Sequence, residues 1–331
     1  MNGDYRYHLK HVLTTTQPEF DRHFLNHLCD VTTALRTYGK KYQLTMELKT
    51  RLANKRAMLY FTQPSTRTFM SFMAACQNLG MDVIHVQDPS ISSAAKGESE
   101  LDSLRTFSSF VDVIIMRSAT SGLAVDAAAY LDTTKRPVPV INGGSGTNHH
   151  PTQALLDIYT LDRTFRKFGR IDSKVFVLVG DLKRGRTVHS LCHLLCNYHD
   201  IELRLVSPPE LAMPQDVLYY LDAHGVHYEQ TTDLDAAVDG MDAIYLTRLQ
   251  KEYGKDDDGI DYSHYALRAD HLDTQRKLAV LHPMPRGIEL PPKLDHDSRV
   301  MIWRQQRNGM WVRTALLFLI LWRKPYDFIF D

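Results

Sequence analysis

The chain has 331 residues, enough for two domains that each bury a core. Its 39 lysines and arginines are balanced by 39 aspartates and glutamates, so no overall field draws it to nucleic acid or to a membrane, and any cationic site is local. Four cysteines, Cys29, Cys76, Cys192 and Cys196, are too few for a disulfide framework and form no Cys-x-x-Cys pair, which predicts reduced thiols. In chain order, the amino terminus Met1-Asn2-Gly3-Asp4-Tyr5 lacks the basic-then-apolar layout of a signal peptide. The strand Arg56–Phe61 comes next and runs into Thr62-Gln63-Pro64-Ser65-Thr66-Arg67-Thr68. Apolar residues at 69, 72, 73, 76 and 79, closed by Gly80, predict a helix with Ser65 as N-cap. Free amides and the positive end of the helix dipole, with Arg67 beside them, suit a bound anion. Taken alone, Ser-Thr-Arg-Thr is equally an ordinary helix start.

Buried-strand runs alternate with helical runs, near 56–61, 81–86, 111–117 and 137–142, then 174–180, 201–207, 242–247 and 278–283. This predicts an α/β chain with two doubly wound parallel sheets of four strands each. A glycine-rich stretch from Gly143 and a helix from Pro151 to about Phe165 divide them. A last helix runs from about Gln305 to Arg323; its apolar part, Ala315 to Trp322, is too short to span a bilayer, so a cytoplasmic protein is expected. The chemistry-bearing residues follow strands: Arg67 the first, Lys96 the second, Arg117 the third, His150 and Gln153 the fourth. In the second half Arg186 follows the first strand, Arg248 and Gln250 the third, and Pro283-Met284-Pro285-Arg286 the last. Open parallel sheets bind ligands beyond the carboxyl ends of their strands, so the residues predict one cleft between two domains. Cations with no acidic residue among them imply a ligand set of several negative charges.

Seven segments then stand in order: Ser65-Thr66-Arg67-Thr68, Ser92 to Glu98, Met116-Arg117, His150-Pro151-Thr152-Gln153, Gly180 to Ser190, Thr247 to Glu252, and His282-Pro283-Met284-Pro285-Arg286. Together they resemble the signature segments of the aspartate carbamoyltransferases over nearly the whole chain. The resemblance implies that residues 1–149, completed by the C-terminal helix (about 305–331), bind carbamoyl phosphate and that 150–304 bind aspartate. It implies carbamoyl phosphate on Ser65, Thr66, Arg67 and Thr68, with Arg117 on the phosphate and His150 and Gln153 reaching the carbamoyl group. Arg186 would hold the α-carboxylate of aspartate, Arg248 and Gln250 the β-carboxylate, and Met284 and Pro285 would contribute backbone carbonyls. Ser92 and Lys96 would come from a neighbouring subunit of a homotrimer. The resemblance further implies transfer to L-aspartate in pyrimidine biosynthesis without cofactor or metal, and it leaves a regulatory chain or a dihydroorotase as possible partners.

Other readings of single motifs stay open at this level. Gly180 to Thr187 nearly spells a Walker A loop, with Arg186 where lysine belongs, which would make a nucleotide triphosphatase. His149 with His150, and His189, Cys192, His193 and Cys196 on one helical face, invite a metal reading, although one straight helix cannot wrap four ligands around one ion. The acidic run Lys255 to Gly259 lacks the closing glutamate of a calcium loop. A carbamoyltransferase for ornithine and a non-catalytic paralogue are the remaining alternatives. Against the family pattern, Gln63 replaces Glu, Phe69 replaces Arg, Arg184 replaces Tyr, Tyr253 replaces Arg and Met284 replaces Leu. The first and fourth of these neutralise outer members of a charged network that includes Arg186, and a Gln–Arg contact is weaker than a carboxylate–Arg pair.

Overall fold

The computed structural model of the chain describes residues 9–86, 97–145, 149–249, 261–273 and 277–322. It divides into unit 1, Met1–Thr152 with Gly309–Asp331, and unit 2, Gln153–Asn308.

Unit 1 opens with helices α1 (Arg22–Tyr38) and α2 (Tyr42–Leu48), then alternates: β1 (Arg56–Phe61), α3 (Thr66–Asn78), β2 (Asp82–Val86), α4 (Glu100–Ser108), β3 (Val113–Ser118), α5 (Leu123–Asp132) and β4 (Val140–Ser145). Its four strands pair in parallel in the order β2-β1-β3-β4. Strands β1, β3 and β4 are buried almost throughout, the pattern of a parallel sheet covered on both faces. The order reverses between β1 and β3, with Phe61 paired to Arg117 at their carboxyl ends.

Helix α6 (Pro151–Phe165) follows. Unit 2 then contains β5 (Val175–Val179), α7 (Arg186–Leu195), β6 (Glu202–Val206), α8 (Gln215–Ala223), β7 (His227–Thr231), α9 (Leu234–Ala237), β8 (Ala243–Leu246) and β9 (Ala279–Leu281). The sheet has five parallel strands, ordered β7-β6-β5-β8-β9, and its order reverses between β5 and β8. Four strands were expected here, and the fifth is β7. Its residues His227-Tyr228-Glu229-Gln230-Thr231 form an edge strand with no buried residue, so it lacks the apolar run by which the other strands of this sheet are recognised.

Helix α10 (Ile302–Leu321) closes the fold, and Val312 and Ala315 to Ile320 on it are at most 1% exposed. Each fully buried leucine or isoleucine of this kind stabilises the chain by roughly 1.5–3 kcal/mol. Among the described residues no helix is long and apolar enough to cross a membrane.

Candidate active site

In unit 1 the site starts from the way β1 leaves its sheet. The N–H groups of Thr62 and Gln63 both donate to the carbonyl of Arg117, at 2.9 and 3.2 Å, which ties the turn after β1 to the end of β3. Helix α3 begins shortly after this turn. Ser65 is its N-cap residue, but no side-chain hydrogen bond caps the helix. The first amides of a helix have no intrahelical acceptor, so Thr66, Arg67 and Thr68 carry donors suited to an anion. Thr66 and Arg67 are exposed and Thr68 is buried.

Arg117 sits where the β3–β4 register shifts between Met116 and Ser118. Its side chain is 6% exposed, and Nη1 donates to the carbonyl of Gly143 at 3.2 Å. Beside it, Gly144 has φ +119°, and a Cβ there would lie 2.4 Å from Arg117 Nη1 and 3.4 Å from His150 Cδ2. A Cβ on Gly143 would lie 3.6 Å from Thr68 Cγ2. Two adjacent glycines thus let Thr68, Arg117 and His150 gather at the carboxyl ends of β1, β3 and β4. Asn142 holds this corner: its Oδ1 accepts from Gly144 N–H at 2.8 Å, and its Nδ2 donates to the Leu13 carbonyl at 2.8 Å.

In unit 2, Gln153 lies near the start of α6 and its Nε2 donates to Asp157 Oδ1 at 3.0 Å. Asp157 is fully buried, and it also receives Tyr245 Oη on Oδ2 at 2.9 Å and Gln305 Nε2 on Oδ1 at 2.7 Å. Burial, reinforced by this carboxylate, pushes the Tyr245 hydroxyl well above its ordinary value, so it stays a donor.

Arg186 is the first residue of α7, after β5, and Arg248 follows β8 with Nη1 donating to the Leu249 carbonyl at 3.2 Å. These two strands flank the point where the sheet order reverses. Met284 has φ +66° and precedes a cis peptide bond to Pro285. Its N–H donates to His282 Nδ1 at 2.8 Å, while His282 Nε2 meets Glu289 Oε1 at 2.8 Å. An accepting Nδ1 requires the neutral ring, with its proton on Nε2. Burial drives the His282 pKa below its usual value despite the neighbouring Glu289, in keeping with that geometry. Burial pushes Glu289 upward, but bonds from His282 and Gly287 outweigh it and leave the carboxyl below its ordinary value.

Several expectations are corrected or refined by these contacts. Arg286, expected to stand among cations free of acidic neighbours, is paired in a fork with Asp295, Nη2 to Oδ2 at 2.9 Å, and lies 5.7 Å from the Trp303 ring. Arg184 likewise faces buried Asp181, which accepts its backbone N–H at 3.0 Å. Phe69 packs edge-on against Phe61 and His85, which accounts for an apolar residue there. Gln63 keeps a buried Oε1 with no hydrogen-bond partner among the described residues. Ser92, Lys96, Gln250, Tyr253 and the acidic run 255–259 lie outside the described residues.

The rival motifs are absorbed by the fold. In the Gly180–Thr187 turn, the N–H groups of Leu182, Lys183, Arg184 and Arg186 donate to Gly180, Leu211, Asp181 and Arg184 respectively, so the amides a phosphate loop would aim at its ligand are used internally. His189 donates to the Leu182 carbonyl, Cys192 is buried, His193 packs on Tyr220 and Cys196 donates to the Cys192 carbonyl. Among the described residues no group of histidines, cysteines or carboxylates could hold a metal ion.

Comparison with known proteins decides the family. Residues 10–163 match the model described as Aspartate/ornithine carbamoyltransferase, carbamoyl-P binding domain, and residues 172–320 match its Asp/Orn binding domain. The chain belongs to the aspartate/ornithine carbamoyltransferase family. Among its relatives, the aspartate carbamoyltransferase catalytic subunit of Thermococcus gammatolerans is 42% identical over 80% of this chain and 84% of that protein. The chloroplastic aspartate carbamoyltransferase of Arabidopsis thaliana is 38% identical over 92% of this chain and 76% of that protein. A crystal structure of aspartate transcarbamoylase from Trypanosoma cruzi in complex with carbamoyl phosphate and aspartate covers 94% of this chain and 97% of its own, at 34% identity and a TM-score of 0.82. Asp157, Glu289, Gln305, Asn142 and Gly144 touch or make room for the candidate residues or their neighbours, and the motifs had not singled them out. Two of them left a trace in sequence: Gly144 lies in the glycine-rich stretch from Gly143, and Asp157 stands four residues after Gln153 on the same helix.

Proposed function

We propose that this chain transfers the carbamoyl group of carbamoyl phosphate to the amine of L-aspartate, giving N-carbamoyl-L-aspartate and phosphate, a step of pyrimidine biosynthesis. The observation that carries it is the gathering of Thr68, Arg117 and His150 around Gly143 and Gly144, beside a helix start with no side-chain cap. Unit 1 serves as the carbamoyl-phosphate-binding domain: Ser65, Thr66, Arg67 and Thr68 hold the phosphate, Arg117 adds charge, and His150 reaches the carbamoyl oxygen. Gln153 acts on the carbamoyl amide. One N–H of its amide donates to Asp157, a carboxylate that only accepts, which fixes the Nε2 end there and leaves the carbonyl oxygen as the end proposed to receive a substrate N–H. Unit 2 serves as the aspartate-binding domain, with Arg186 on the α-carboxylate, Arg248 and Gln250 on the β-carboxylate, and the carbonyls of Met284 and Pro285 on the amine side. Planar guanidinium forks suit carboxylates.

The chemistry needs no covalent intermediate. The aspartate amine attacks the carbamoyl carbon, charge grows on the carbamoyl oxygen, and Arg67, Thr68, Arg117 and His150 are donors placed to stabilise it and the departing phosphate. Phosphate can take the amine proton as it leaves. Ser92 and Lys96 are assigned to a neighbouring copy in a homotrimer, and the cytosol is the proposed setting of a chain whose cysteines are all free.

A colorimetric assay for N-carbamoyl-aspartate with purified protein tests this reading, run beside ornithine as acceptor and with a chelator present. Turnover with aspartate that survives chelation is expected. Turnover with ornithine alone would refute the acceptor, and loss on chelation would refute the metal-free chemistry.

A further inference from the structure

We infer that Gln305, on α10, is a positioning residue that sets the Gln153 amide and the Met284–Pro285 backbone together. The inference rests on the reading of those residues as substrate contacts. Gln305 is fully buried. Its Nε2 donates to Asp157 Oδ1 at 2.7 Å and its Oε1 accepts from His282 N–H at 3.0 Å. One partner can only accept and the other can only donate, so the orientation of the amide is fixed at both ends.

From Asp157 the connection runs to Gln153 Nε2 at 3.0 Å, and from His282 it runs through Nδ1 to Met284 N–H at 2.8 Å. A continuous path, Gln153–Asp157–Gln305–His282–Met284, buried up to His282 and half-buried at Met284, therefore lies within unit 2. Without Gln305, Asp157 loses a donor and the His282 N–H loses its acceptor. The Asp157 carboxylate can then shift and carry the Gln153 amide with it, and the segment His282 to Pro285 loses an anchor. Buried polar networks of this kind act as units because a half-satisfied network is costly.

The same two helices supply a matched control one turn further on. Asn308 Nδ2 donates to Thr160 Oγ1 at 3.0 Å, with both residues buried, and this bond leads to no proposed substrate contact. A structural role alone would make the two bonds equivalent.

The experiment compares Gln305→Met, Asn308→Ala and Gln153→Ala in steady-state kinetics for both substrates and in thermal melts. Gln305→Met should lose about tenfold in kcat/KM, with KM raised for carbamoyl phosphate and for aspartate alike. Asn308→Ala should melt earlier with unchanged kinetic constants. Gln305→Met constants equal to those of Asn308→Ala, while Gln153→Ala is impaired, would overturn the coupling alone. A Gln153→Ala chain with parental constants would remove the reading of Gln153 and the inference with it.

Should Gln305→Met fail to fold, Gln305→Glu gives a second readout. The groups facing that position are Asp157 from α6, Tyr245 from β8, and His282 with Glu289 behind it. While the introduced carboxyl is protonated it donates to Asp157 as the amide did; once ionised it repels that carboxylate. The activity of this variant relative to the parent should therefore fall as pH rises from about 6 to about 8.5, and a flat ratio would overturn the inference.

Discussion

The two units hold the groups proposed to bind substrate by different means. In unit 1 the backbone does it: Arg117 rests on the Gly143 carbonyl, the absence of a side chain at Gly144 makes room for its guanidinium, and the turn after β1 hangs on the Arg117 carbonyl. In unit 2 side chains hold side chains, through Asp157, Gln305, His282 and Glu289. An anion cradle needs close approach of many N–H groups, which favours glycine and bare helix ends. A site that must orient one amide and a pair of carbonyls needs fixed acceptors and donors, and buried polar networks provide them.

The largest effect that could break this contrast is in unit 1. Gly144→Ala forces a Cβ onto a left-handed backbone and within 2.4 Å of Arg117 Nη1, so a loss of about 100-fold in kcat/KM is expected, with about 1–2 kcal/mol of strain. Gly143→Ala meets the Met116 carbonyl and Phe61 Cζ only at 3.3 Å, and a few-fold loss is expected. Equal kinetics for the two variants would mean that Gly144 does not set the position of Arg117.

A middle-sized effect sharpens the same corner. Asn142→Asp keeps the acceptor for Gly144 N–H but replaces the donor to the Leu13 carbonyl with a buried carboxylate oxygen. Urea unfolding should show a loss of about 1–3 kcal/mol. A variant as stable as the parent would mean that this side chain is not what fastens the corner.

The smallest effect belongs to unit 2 and appears on acidification. His282 has its pKa lowered by burial and Glu289 is held low by its bonds, so both favour the native state in their deprotonated forms. Their contribution is full above the ordinary histidine value of about 6.5, and the His282 part is lost first as pH falls below it. His282→Asn keeps an acceptor for Met284 N–H but does not titrate. Its melting temperature should drop by about 2 °C less than the parent's between pH 7 and pH 5. Partly buried His11, His27 and His189 are also lowered by burial and titrate in both proteins, so the difference between the two slopes is the measurement. Equal slopes would exclude a neutral, accepting His282.

What could be read ahead of the structure follows the local signals. The strands of the parallel sheets announce themselves as apolar runs, and the start of α3 as a polar turn before a helical rhythm; β7 does not, because an edge strand with polar side chains has neither period nor run. Arg286 looked available because its partner, Asp295, lies nine residues on across a turn that has no periodicity to read.

The sequence by itself determined the α/β class, the placing of Arg67, Arg117, Arg186 and Arg248 after strands, and the ordered motifs that mark the family, because each depends on residues close together in the chain. Tertiary structure alone decided that Gln305 meets Asp157, 148 residues away, that Arg117 and His150 share the space above Gly144, and that Met284 hangs on His282. Such contacts exist only once the sheets and helices have packed, since hydrogen bonds between side chains are fixed by where the backbones come to rest and leave no periodic trace in the chain.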